Sequence, residues 1–70
     1  MRPLLGSRYR IGGNGWWHVA ANVPILTSDD IEVVDIDEVY TTIEVRRDGV
    51  LLGSRPIYHT MFPQDFDQVR

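Results

Sequence analysis

Few residues in this chain belong to the types that do chemistry, and their spacing limits what each could do. His18 and His59 are its histidines, and it has no cysteine. A zinc or transition-metal site would need both histidines beside two further ligands, such as Asp29 or Asp30. No helical His-x3-His pair or ligand loop joins them, so both read as structural or surface histidines. No metal and no cofactor is expected. Asp35-x-Asp37 would set two carboxylates on one face of a strand, about 7 Å apart. That spacing suits acid–base work or a divalent cation, and a solvated strand face explains it as well. Asp29-Asp30 reads as a loop or cap pair. Gly12-Gly13-Asn14-Gly15 lacks the spacing and the lysine of a phosphate loop and stands between strands, so it reads as a hairpin turn. Ser7, Ser28 and Ser54 sit in no nucleophile-elbow context. All seven basic residues are arginine, which leaves no lysine amine for Schiff-base chemistry. No catalytic residue emerges, and the chain is not expected to be an enzyme.

Binding is the better-supplied chemistry. Trp16 and Trp17 are adjacent, so on a strand they point to opposite faces. If Trp17 is core, Trp16 is outside, either exposed or covered by the C-terminal segment through Phe62 and Phe66. Tyr40 falls on an outward face. Exposed tryptophan, tyrosine and arginine dominate interface hot spots. Trp16, Tyr40, Arg10 and Arg46 are therefore the candidate partner-binding residues. Aromatics with arginines also stack bases on small barrels, but a sequence pI of about 5.1 works against phosphate binding.

Strands must position these residues, because the apolar pattern alternates and helical periodicity is weak. The first strand spans Ser7–Ile11, with Tyr9 and Ile11 on one face and Arg8 and Arg10 on the other. The second spans Trp16–Val23, with Trp17, Val19, Ala21 and Val23 inward, and Pro24 ends it. A loop over Pro24–Asp30 follows, too short for a helix. The third strand, Ile31–Ile36, breaks its own alternation, which means two buried faces or a bulge near Val33-Val34. Asp37-Glu38 makes a short turn. The fourth strand, Val39–Arg46, points Val39, Thr41, Ile43 and Val45 inward. Asp48-Gly49 marks a two-residue hairpin that pairs Arg47 with Val50 and Val45 with Leu52. The fifth strand runs from Val50 to about Ser54, and Pro56 interrupts it. The expected architecture is all-β: a small five-stranded barrel or half-barrel, OB-like or SH3-like, over residues 1–62, with a short C-terminal tail over 63–70. An open sheet of three or four strands with a terminal helix is the second choice.

Composition sets the bounds. Seventy residues with 43% hydrophobic and 24% charged side chains make one small globular domain. Its stability margin is thin, because a chain this short buries only about 60% of its unfolded surface. No apolar run spans a membrane or forms a signal peptide, and a cytoplasmic protein is expected. The net charge of −3 is unevenly placed. Arg2, Arg8 and Arg10 meet no acid in the first fifteen residues, whereas residues 29–38 carry six acids and no base. The plainest account is pairing of the arginine strand with the acidic strand across a sheet.

Ile11, Gly12 and Gly13, then Trp17, then Ala21, Pro24 and Ile25 form a recognisable order. Val33-Val34-Asp35-Ile36-Asp37 and Ile43-Glu44-Val45 follow it. In this order Tyr9–Arg46, about half the chain, resembles the soluble C-terminal domain of the NfeD family. The resemblance implies a five-stranded OB-like barrel without catalytic residues, which contacts other proteins, stomatin- or prohibitin-like membrane proteins among them. The chain departs from the pattern where Asp30 and Glu38 replace glycine, in lacking transmembrane helices ahead of the domain, and in continuing to Arg70. The reading reached is a non-enzymatic module that binds a partner protein or copies of itself. The alternatives are a small nucleic-acid-binding barrel, or a phage or mobile-element protein with a structural or inhibitory role.

Overall fold

The computed structural model describes residues 4–12, 18–20, 22–62 and 66–69. Among the described residues seven strands form: β1 (Arg8–Ile11), β2 (His18–Ala20), β3 (Val23–Pro24), β4 (Asp30–Ile36), β5 (Tyr40–Arg47), β6 (Val50–Tyr58) and β7 (Phe66–Val69). Five of them make one antiparallel sheet in the order β6-β5-β4-β1-β7, and β2 and β3 make a separate two-stranded sheet. The all-β class is as expected; among the described residues the sheet does not close into a barrel. β6 and β7 are the two edges of the main sheet. The β2–β3 ribbon approaches β6 without joining its ladder. Instead Arg55 reaches across and donates to the His18 carbonyl at 2.6 Å. Val19 settles over Gly53, where a Cβ would come within 3.3 Å of its Cγ2.

Alternation places the core. Tyr9 and Ile11 of β1, Ile31 and Val33 of β4, Ile43 and Val45 of β5, Ile57 of β6 and Phe66 of β7 are buried together with Val19 and Ile25. The slip in the third expected strand is a bulge: Val33 pairs with Ile43 and Asp35 with Thr42, which leaves Val34 as the extra residue. The bulge turns Ile36 back toward the core and Asp35 toward solvent. Asp48 and Gly49 both take positive φ, 54° and 81°, the conformation of a type I′ hairpin, and Arg47 pairs with Val50 as expected.

Four expectations change. The Trp16–Val23 strand is not continuous, because its described part folds on itself: Ala20 pairs with Val23 and His18 with Pro24. Val39 is 49% exposed, since it sits in the β4–β5 turn, where strand alternation does not apply. That turn is closed by the Asp37 N–H donating to the Tyr40 carbonyl at 2.9 Å. Pro56 does not interrupt β6. The Asp37–Tyr40 bond points Tyr40, and therefore Thr42, toward β4, so Thr42 and Pro56 face each other without exchanging ladder bonds. The missing N–H of Pro56 thus points out of the open edge, where a sheet tolerates proline. Finally, the segment read as a tail contains β7, which pairs residue by residue with β1. Phe62 and Phe66 do anchor it: the Phe62 ring meets Tyr9 edge-on at 5.3 Å and Phe66 at 5.5 Å.

Candidate functional site

The outer face of the sheet is laid out in cross-strand rows. In one row Arg10 pairs with Asp67 on β7, and its guanidinium lies 3.5 Å from Asp30, which pairs with Arg46 on β5. In the next row Arg8 stands opposite Glu32, and Glu32 opposite Glu44. Arg46 bonds Glu44 at 3.0 Å. The arginine strand therefore does meet the acidic strand across the sheet. The Asp67–Arg10–Asp30–Arg46 row alternates in sign, whereas Glu32 and Glu44 face each other as like charges, with Arg46 answering Glu44 from the next row. Exposed pairs of this kind hold register more than they stabilise.

One ion pair is of a different kind. Asp29 is completely buried, and Arg47 grips both of its oxygens, Nε to Oδ1 at 2.7 Å and a terminal nitrogen to Oδ2 at 2.9 Å. Oδ2 also accepts the Leu26 N–H at 2.9 Å, and Arg47 donates to the Pro24 carbonyl at 3.1 Å. The Arg47 hydrogen bond holds the Asp29 carboxyl below the ordinary carboxylate value, against the upward push of burial. The pair ties the 24–29 loop, and with it the buried Ile25, to the end of β5.

At the opposite end of the sheet the outer face turns apolar. Tyr40 and Tyr58 face each other across β5 and β6. Their rings lie 4.6 Å apart and tilted by 33°, and the Tyr40 hydroxyl donates to that of Tyr58 at 3.1 Å. This bond holds the Tyr40 phenol above its ordinary pKa. Both rings are substantially exposed, at 36% and 47%, and Met61 from the 3-10 turn His59–Met61 is exposed at 63%. With Arg55, Pro56 and Ile57 these side chains line a cleft of about 240 Å³.

The candidate residues that are described, Tyr40, Arg10 and Arg46, are not brought together. Tyr40 lies in this cleft. Arg46 is six residues away along the same strand, about 20 Å, and Arg10 lies in the same row as Arg46, two strands across beyond Asp30. Trp16 and Trp17, like the Gly13–Gly15 part of the turn, fall outside the described residues. Asp35 and Asp37 do not form a carboxylate pair on one strand: Asp37 lies in the turn, where its carboxylate accepts the Val39 N–H at 2.9 Å. Among the described residues, no three His, Asp or Glu side chains converge as metal ligands.

Sequence reasoning missed Tyr58 and Met61. Carried along without a break, the Asp48-Gly49 hairpin register puts Ile57 opposite Tyr40. A second bulge shifts it: Arg46 pairs with Leu51 and Val45 with Gly53, skipping Leu52. That single extra residue buries Ile57 and sets Tyr58 beside Tyr40. Glycine at 53 was the available signal, since an isolated glycine within a strand pattern marks a bulge. No protein-family model, curated protein or solved structure matches the chain.

Proposed function

We propose that the chain is a non-enzymatic protein-interaction module, which binds a partner protein or further copies of itself. The observation that carries this reading is the exposed Tyr40–Tyr58 pair with Met61 beside it, at the rim of an otherwise charge-laced sheet. Tyrosine and methionine surfaces of this kind give large, adaptable contact area at low entropic cost. Support for a non-enzymatic role comes from the ionisable residues. Arg10, Arg46, Arg47, Asp29, Asp30 and Glu44 are engaged in pairs that hold the sheet and loop, rather than converging on a cleft. The Tyr9–Arg46 resemblance to the NfeD soluble domain points to the same class, although the open sheet departs from the closed barrel it implies. A cytoplasmic setting accords with a chain that has no cysteine.

Immobilised protein tests the reading when it carries either the natural sequence or Tyr58→Ala with Met61→Ser. The natural chain is expected to retain from a host lysate at least one protein that the variant releases, or to sediment as an oligomer that the variant dissociates. Equal retention and equal sedimentation by both would overturn it. So would selective, Tyr58-dependent capture of single-stranded nucleic acid in place of protein.

A further inference from the structure

The fold divides the acidic block of residues 29–38 into two halves with different neighbours. In the first half Asp29 is gripped by Arg47, Asp30 lies near Arg10, and Glu32 stands opposite Arg8. The second half reaches the far end of β4. Asp35 is exposed opposite Thr42, one outward row from Tyr40. Asp37 sits in the turn beside it, spending one oxygen on the Val39 N–H. Among the described residues, neither Asp35 nor Asp37 has an ion pair. Negative charge is thus left over beside the exposed tyrosine pair, while Arg10 and Arg46 are paired with carboxylates near the opposite end of the sheet. Arg55, the one base among the described residues that line the cleft, is turned toward β2 by its bond to the His18 carbonyl.

Resting on the protein-binding reading, we infer that the partner presents a basic, arginine- or lysine-bearing segment, which lies over Tyr40 and Tyr58 and reaches toward Asp35 and Asp37. A guanidinium stacks favourably on a neutral tyrosine face, and the carboxylates steer the cation toward it. Charge complementarity selects this occupant over a neutral or acidic one. Pairing of a partner strand with β6 is opposed here by the outward-facing Pro56.

A short fluorescein-labelled peptide alternating glycine and arginine provides the probe, with glycine–glutamine and glycine–glutamate peptides beside it, titrated with the full chain by fluorescence polarisation. The arginine peptide is expected to bind saturably, more weakly as salt shortens the screening length, and the glutamate peptide not at all. Asp35→Asn combined with Asp37→Asn should weaken binding about five- to tenfold. The asparagine at 37 keeps a side-chain oxygen for the Val39 N–H, so the turn survives. Tyr58→Leu should weaken it comparably. Binding of the glutamine peptide as tight as the arginine peptide, no loss in the double asparagine variant, or no binding at all would each overturn the inference. A partner captured through Tyr58 that is neutral or acidic at its contact would overturn the basic-segment inference alone. Loss of all Tyr58-dependent protein capture would remove the protein-binding reading beneath it.

Discussion

Asp29 and Thr41 are the two polar side chains buried completely among the described residues, and their circumstances are opposite. Every oxygen of Asp29 has a partner, so Asp29→Ala should cost about 2–3 kcal/mol, the scale of hydrogen bonds to a charged group. Its folded pKa lies below the unfolded value, so its stabilisation is complete above about pH 4. It is lost as pH falls through the lowered folded value. Arg47→Met reverses the sign: burial then dominates, the folded pKa rises, and the variant should become more stable as pH drops from 7 toward 4. Urea melts at several pH values check both, and an Arg47→Met profile parallel to the natural one would contradict the buried pair. The Thr41 hydroxyl, by contrast, has no hydrogen-bond partner among the described residues. Thr41→Val keeps its shape and removes the orphaned oxygen, so it should gain about 1 kcal/mol. Loss of stability in the same melts would mean the hydroxyl is satisfied.

At the scale of elements, β5 carries the two longest ladders of the sheet: it pairs with β4 on one side and β6 on the other, and Ile43 at its middle is fully buried. Ile43→Ala should cost about 2–5 kcal/mol, enough to unfold a domain of this size, as measured by thermal or urea denaturation. A near-neutral effect would contradict the register. Much of this ladder was legible. The alternation of Tyr40–Arg46 and the Asp48-Gly49 turn follow from local pattern and turn chemistry, and the broken alternation at Val33-Val34 narrowed that strand to two buried faces or the bulge that the β4–β5 register shows. β7 was not legible, because Phe66–Val69 carries no strong alternation and gains its strand conformation only by pairing with β1. The continuity of β6 through Pro56 was hidden for a related reason. Which way a proline nitrogen points in a sheet depends on the neighbour's bonding phase, and the sequence of one strand does not contain it.

At the scale of the molecule, an open sheet must keep its edges from pairing with other sheets. On β6 that protection comes from Pro56, the Leu52 bulge and the β2–β3 ribbon alongside. Pro56→Val would restore an outward N–H on this edge, and self-association should then rise with concentration, as read by light scattering. An unchanged monomer–oligomer balance would mean that the ribbon alone shields the edge. The same open edge explains why the candidate cleft lies where it does. Tyr58 and Met61 meet at the end of β6, beyond the ribbon, where nothing described covers them.

The sequence by itself determined the all-β class, the inward placing of Tyr9, Ile11, Val19, Thr41, Ile43 and Val45, and the two-residue hairpin, and it favoured the pairing of the arginine strand with the acidic one. These follow from period-two alternation, from glycine's tolerance of positive φ, and from cross-strand charge. Tertiary structure alone decided that the sheet stays open, that Asp29 is buried against Arg47, and that Tyr40 meets Tyr58 rather than Arg46 or Arg10. The reason is geometric. A one-residue bulge in β6 changes every partner beyond it, and long-range register is settled by the packing of Ile57, Val19 and Phe66 together, not by the residues of any one strand.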